Sequence, residues 1–349
     1  MVDLIELEPF LDQYFGSNYK KKDVLITPLK SGLSSTSTYI LQVNQQKFVI
    51  REFNKKYDKE RKLNEIVAHK YASDEIQISP KILYIHPDVK FMIIEYIDGR
   101  AITRNDLKNP DIIRILAKLI RNLHNYKGEF IQYRPQSARA EKDYNKALSN
   151  DIAFPMVFTE LYKEYIQEGQ KMLLQKKDIV LCHSDLSPEN IMISNDNKIY
   201  IIDFTAASWD YRYNDLGYFA LLNGLNEKQK QLLLSEYFDN KIDSHNLENF
   251  NKAISRTYFL TSLVWFVFSE KPEDKEVSKE LRIQVLDDLL QNNSIKEGAE
   301  YIENNEIVPL YSEDKESLRL YALGFLKTYI KTRTLTHNLM HLYSKNPAS

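Results

Sequence analysis

Near Gly99 the hydrophobic pattern of the chain changes period, and this restricts the architecture more than any other feature. Before it, apolar runs read as strands. Ser37–Val43 and Lys47–Phe53 flank the turn Asn44-Gln45-Gln46, and Ile82–Ile85 and Lys90–Ile97 flank His86-Pro87-Asp88. Between these pairs, Leu63, Ile66, Val67 and Tyr71 recur at helical spacing within Lys59–Ser73. After Gly99 helical periodicity takes over, beginning with Ile112, Ile115, Leu116, Leu119, Ile120 and Leu123 in Asp111–Asn125. One region departs from it: Ile179–Leu181, Ile191–Ile193 and Ile199–Ile202 are short β-branched runs separated by loops. The pattern predicts an α+β fold of two lobes, a small β-rich N-terminal one and a larger, mostly helical C-terminal one, with a hinge at residues 95–99. The expected divisions are 1–98, 99–290 and a helical extension, 291–349, jointed at Gln291-Asn292-Asn293-Ser294.

Composition removes several classes of function. Lys and Arg number 47 against 49 Asp and Glu, a net charge of −2, so the chain as a whole has no electrostatic hold on nucleic acid or an acidic membrane. A single cysteine, Cys182, makes neither an internal disulfide nor a cysteine zinc cluster. The 9 glycines lie too far apart for a dinucleotide-binding fingerprint or a Walker loop. Met1–Phe10 carries Asp3, Glu6 and Glu8 and does not read as a signal peptide, and the most apolar run, Tyr258–Phe268, is too short to span a bilayer. A soluble, cytoplasmic protein without a membrane span is expected.

The chemistry concentrates between Cys182 and Phe204. Asp185 and Asn190 share one loop between two apolar strands, and Asp203 stands at the end of the next strand, where a turn begins. Carboxylate and amide oxygens are hard donors suited to Mg²⁺, which keeps coordination sites open for phosphate. With Asn190 and Asp203 assigned to the metal, Asp185 remains to accept a proton from an incoming hydroxyl. Base, metal and nucleotide are the minimum set for phosphoryl transfer from ATP. Each residue alone would read as an ordinary turn residue, since Asp and Asn favour turns. The order carries the weight: Asn190 follows Asp185 by five positions and Asp203 follows Asn190 by thirteen, each after an apolar run. His183, next to Cys182 on a strand, points away from it and is expected to pack and orient the loop.

His183-Ser184-Asp185-Leu186-Ser187-Pro188-Glu189-Asn190 followed by Ile201-Ile202-Asp203-Phe204 resembles the catalytic loop and metal turn of protein-kinase-like small-molecule kinases, the choline/ethanolamine kinases and aminoglycoside phosphotransferases. Its wording is nearest the bacterial choline-kinase type. The resemblance implies a protein-kinase-like fold and runs from about residue 25 to about 270. It places Ser34, Ser35 and Thr36 in a phosphate-covering loop, and Arg51 on the next strand as a forked phosphate ligand. Glu65 would brace Arg51, with Glu60 as a competitor. The Glu95 carbonyl and Ile97 amide would meet adenine behind the gatekeeping Ile94, and Asp215 would bond the catalytic-loop backbone.

The family's acceptor cage draws on cation–π attraction. Trp265 and Tyr258 are its candidates here, on a helix whose aromatic stripe also suits a core. The family's second acid in the metal turn is Thr205 in this chain, and the acid expected after Asp-Leu-Gly falls at Leu222. The resemblance implies an ATP- and Mg²⁺-dependent kinase of a small amino alcohol, choline or ethanolamine first. An aminoglycoside or thiamine phosphotransferase is the alternative acceptor class, and a catalytically silent kinase-like binding protein the alternative of another kind. ATP and a small-molecule acceptor are the expected partners, and the sequence carries no reading of oligomeric state.

Overall fold

The computed structural model describes residues 3–16, 18–29, 37–128, 134–269, 276–306 and 314–345, the last twelve by backbone only. In chain order the first elements are α1 (Leu4–Phe15), β1 (Val24–Leu29), β2 (Thr38–Val43), β3 (Gln46–Glu52), α2 (Lys59–Lys70), β4 (Ile82–Ile85), β5 (Phe91–Glu95), β6 (Gly99–Ala101) and α3 (Pro110–His124). Next come α4 (Gln136–Ser149), α5 (Phe158–Leu173), β7 (Ile179–Cys182), β8 (Ile191–Ser194), β9 (Ile199–Ile201), β10 (Ser208–Tyr211) and α6 (Arg212–Leu222). The remainder is helical: α7 (Glu227–Tyr237), α8 (Ser244–Phe268), α9 (Lys279–Gln291), α10 (Gly298–Glu303) and α11 (Lys315–Lys345). The α+β architecture is the one the change of period predicts.

The chain divides into two compact units, one of residues 1–133 and 185–208, the other of 134–184 and 209–349. The first holds a five-stranded antiparallel sheet in the order β1-β2-β3-β5-β4. Its β2–β3 hairpin turns at Asn44, whose φ of 55° is one that asparagine tolerates. Alternation sorts the two faces. Tyr39, Leu41, Val43, Phe48 and Ile50 pack with Leu7, Phe10 and Leu11 of α1, while Met92, Ile94 and Phe53 pack with Ile66 of α2. Arg51 follows Ile50 and so joins the α2 face, where its register partner is Met92. Helix α2 starts where the Asp58 side chain accepts the Arg61 N–H at 2.7 Å. Helix α3 has Asn109 as cap and Pro110 in its first turn.

A second sheet of this unit, β6-β8-β9, carries the chemistry-bearing loop. Gly99 is required there: a Cβ would lie 2.4 Å from the Ile193 carbonyl oxygen. Pairing of β6 with β8 draws residues 185–208 into this unit, so the division by contacts differs from the expected boundary at 98.

The helical unit packs α8 between aromatic layers. Phe158 and Tyr165 of α5 lie against Phe259, and Leu323, Phe325 and Tyr329 of α11 complete that core. Gly217 lets α6 approach α8, since a Cβ there would lie 2.8 Å from Ala253. Residues 291–349 fall in this unit, with α10 and α11, where the sequence suggested an extension. Among the described residues no helix is long and apolar enough to cross a membrane.

Candidate active site

Strand alternation aims Arg51 at α2, and Glu65 is its partner there. Arg51 Nε donates to Glu65 Oε1 at 2.5 Å, and both side chains are buried, at 9% and 1% exposure. Of the two acids weighed, Glu60 is exposed in the first turn of the helix. Arg51 Nη2 also donates to Asp203 Oδ1 at 2.5 Å and to Thr205 Oγ1. The pair is therefore part of a buried cluster and not a surface ion pair. Burial works against the guanidinium charge, but Asp203 and Glu65 outweigh it and raise its pKa. Burial pushes the Glu65 carboxyl above the ordinary range, and Arg51 pulls it back.

Asp203 sits in the left-handed region, φ 64° and ψ 73°, at the start of the 3₁₀ turn Phe204–Ala206. Such a conformation costs a non-glycine residue and persists where the surroundings fix it. The Thr205 hydroxyl and amide both donate to Asp203 Oδ1, at 2.6 Å and 3.2 Å. Phe204 is buried 5.4 Å from the ring of His69. His69 in turn bonds Pro80 O at 2.7 Å through Nε2, which must carry the proton because a carbonyl can only accept. Burial holds the His69 pKa down at about 4, so the ring is neutral at pH 7.

Asp185 and Asn190 are joined on their loop. Asn190 Nδ2 donates to the Asp185 carbonyl at 2.9 Å and to Asp185 Oδ2 at 3.0 Å. The amide nitrogen is thereby committed and the amide oxygen is the atom left to serve a cation. The Ile202 N–H donates to the Asn190 carbonyl at 2.9 Å, which places Asn190 beside the segment that ends in Asp203. Amide oxygen and carboxylate form a hard, all-oxygen set that fits Mg²⁺. In the helical unit, Asp215 is buried and accepts the His183 and Ser184 N–H groups, each at 2.7 Å. His183 is itself fully buried.

The other sequence candidates are placed as follows. Ser34, Ser35 and Thr36 lie outside the described residues. Glu95 ends β5, its N–H donating to the Lys81 carbonyl and its Oε2 accepting the Lys81 N–H, each at 3.0 Å. Ile97 follows the end of that strand, and Ile94 is a buried residue of the strand itself. Trp265 and Tyr258 are enclosed in the helical core, Trp265 at 5.5 Å from the Tyr321 ring and Tyr258 at 5.5 Å from Phe325. The structure therefore brings Arg51, Glu65, Asp203, Asp185 and Asn190 into one unit and leaves the α8 aromatics in the core of the other. Sequence reading gave no role to His69 or Thr205. Helical spacing could have found His69, one turn after Glu65 on α2.

An α+β kinase-like fold, with the buried Arg51–Glu65 pair reaching the half-buried Asp203 and with Asp185 and Asn190 joined on a loop, is compatible with a class of phosphotransferase. The chain belongs to the phosphotransferase enzyme family (APH), which it matches over residues 25–242. A protein LicA homolog of Metamycoplasma hominis is 31% identical over 171 residues, 48% of this chain and 64% of that protein. A probable ethanolamine kinase of Arabidopsis thaliana is 27% identical over 135 residues, 36% of each chain. The chain thus spans less than two thirds of the length of either curated relative. Among solved structures, the choline kinase of Cryptosporidium parvum has the same fold, with a TM-score of 0.59 over 97% of both chains at 15% identity.

Proposed function

We propose that this protein transfers the γ-phosphate of ATP to the hydroxyl of a small amino alcohol, with choline or ethanolamine as the leading acceptors. The observation that carries the reading is the joining of Asp203 to Arg51 and of Asn190 to Asp185 on neighbouring segments of one unit. Asp185 accepts or orients the hydroxyl proton while the acceptor oxygen attacks the γ-phosphorus. The bond to the bridging oxygen breaks and ADP leaves. Arg51 serves the phosphates through its planar fork, and Glu65 keeps it charged and aimed. Asn190 and Asp203 would hold Mg²⁺, whose charge offsets that of the phosphates. Adenine would meet the backbone at Glu95 and Ile97, and Ser34, Ser35 and Thr36 would cover the phosphates. The amino-alcohol preference rests on the relatives' printed names, a probable ethanolamine kinase and a probable choline kinase, and on no particular aromatic of α8.

The test is ATP consumption with Mg²⁺ against choline, ethanolamine, aminopropanol, thiamine, homoserine and aminoglycosides. One amino alcohol is expected to stimulate turnover. Asp185→Asn is expected to lower it by about 10²–10⁴-fold while nucleotide binding persists. Turnover of the variant at the wild-type rate would sink the assignment of Asp185. Stimulation by thiamine or an aminoglycoside alone would move the acceptor class. A protein that binds no Mg²⁺–ATP would be a silent relative of the family.

A further inference from the structure

Ser184 immediately precedes Asp185 and is held in the left-handed region, φ 66°, which is costly for a residue with a side chain. Both polar groups of its backbone are engaged. Its N–H goes to Asp215 Oδ1 at 2.7 Å, and its carbonyl accepts from Arg139 Nη1 at 2.9 Å. The carbonyl matters more for the residue that follows. The peptide group is planar, so the Ser184 oxygen lies in one plane with the Asp185 nitrogen and Cα. A bond to that oxygen restricts the turning of the peptide plane from which the Asp185 backbone continues.

Arg139 is itself built in. It lies in the first turn of α4, whose opening N–H, that of Gln136, is accepted by the buried Asp210 at 2.7 Å. The Gln136 side chain accepts the Tyr165 hydroxyl at 3.1 Å. Ala140, next to Arg139, and Tyr144 are buried, so the helix cannot roll without breaking its core contacts. The reach from Arg139 to the loop is thus the end of a chain of fixed groups that begins at β10.

Resting on the function proposed above, we infer that Arg139 is a positioning residue for phosphoryl transfer: by holding the Ser184 carbonyl it sets the aim of Asp185. It touches neither ATP nor acceptor in this role. A guanidinium suits the task because its nitrogens are rigidly spaced and always charged, whereas a lysine presents a point charge on a flexible stem.

The test uses the full chain as Arg139→Met, Arg139→Lys and Arg139→Ala. With the amino alcohol that the wild type turns over, Arg139→Met is expected to lose about tenfold to hundredfold in kcat, the cost of a displaced catalytic group, with the KM values for ATP and acceptor little changed. Added guanidinium should restore part of kcat to Arg139→Ala and none to Asp185→Asn. Hydrogen exchange read over His183–Leu186 should accelerate in Arg139→Met while the rest of the protein keeps its protection. Unchanged kcat overturns the inference. So does a loss matched by a general loss of protection and not rescued by guanidinium, which would make Arg139 a folding residue. If the wild type turns over no amino alcohol, the proposed acceptor fails. Exchange over the loop then decides the positioning role by itself, local acceleration supporting it and unchanged protection rejecting it.

Discussion

The sheet-bearing unit and the helical unit fix their own polar groups by different means. In the sheet-bearing unit the Arg51 guanidinium is held side chain to side chain: Glu65, Asp203 and Thr205 all meet it. In the helical unit, side chains hold backbone. Asp215 takes the N–H groups of His183 and Ser184, Arg139 takes a carbonyl, and Asp210 takes the N–H groups of Gln136 and Tyr211. A cation shared between carboxylates can be drawn to a phosphate, because one anion substitutes for another. A backbone group gripped on both sides has no such alternative. The first arrangement suits ligand binding and the second suits a fixed frame.

Breaking the charge cluster should give the largest effect. Arg51→Met leaves Glu65 buried without its cation, a loss of about 3–5 kcal/mol of stability, read as a lower urea midpoint. The double variant Arg51→Met/Glu65→Leu removes the stranded charge and should recover most of that loss, since replacing a whole buried pair by apolar groups is often neutral. Nucleotide affinity should fall in both. Equal stability of the single and double variants would mean that Glu65 does not depend on Arg51.

Acidification probes a neighbour of that cluster, the His69 ring beside Phe204. The His69 pKa is about 4, below its ordinary 6.5, chiefly through burial, with Arg51 lowering it and Asp203 and Asp74 raising it. Between these values the unfolded chain binds more protons than the folded one. Stability from the neutral ring is therefore complete above pH 6.5 and lost as pH falls towards 4, by about 3 kcal/mol in all. Unfolding free energies measured across that window should slope in the wild type. In His69→Gln this contribution should vanish, and an identical slope would exclude His69 as its source.

The frame of the helical unit should respond in catalysis as much as in stability. Asp215→Asn keeps size but offers one acceptor oxygen where two N–H groups, those of His183 and Ser184, now find two. A loss of about 1–3 kcal/mol is expected for the orphaned N–H. A drop in kcat should accompany it, with KM for ATP little changed. A rise in that KM alone would place Asp215 in nucleotide binding and blur the contrast between the units.

What could be read in advance follows from range. The β2–β3 hairpin, α2 and α3 repeat with their own periods, so a window of a dozen residues reveals them. Arg51 and Glu65 were singled out by the family resemblance and not by a pattern of their own, and strand alternation and one helix then account for their pairing; Asp185, Asn190 and Asp203 stood out because their spacing is local. Strand β6 escaped, since three residues hold no pattern and their pairing with β8 depends on the close approach at Gly99. Arg139 escaped because its partner is a carbonyl 45 residues away, and a carbonyl has no residue type to recognise. The stripe bearing Tyr258 and Trp265 could have been core or cage, and the packing against α11 that encloses it is tertiary.

The smallest effect should come from Thr205, and it bears on how the charge cluster is tuned. Its hydroxyl accepts from Arg51 and donates to Asp203, so it stands between the cation and the carboxylate it neutralises. Thr205→Val keeps the shape and removes this bridge, at a cost of about 1 kcal/mol. Thr205→Ser should restore it. If the hydroxyl only closes the cluster, Val should lower stability and leave Mg²⁺–nucleotide affinity, measured by calorimetry, as it was. If it also disposes Asp203 towards a cation, the affinity should fall with Val and return with Ser. The second outcome is expected, because Asp203 occupies a left-handed conformation and Thr205 donates to its carboxylate through both hydroxyl and amide. A threonine there holds the Phe204–Ala206 turn in shape without adding a second negative charge beside Arg51.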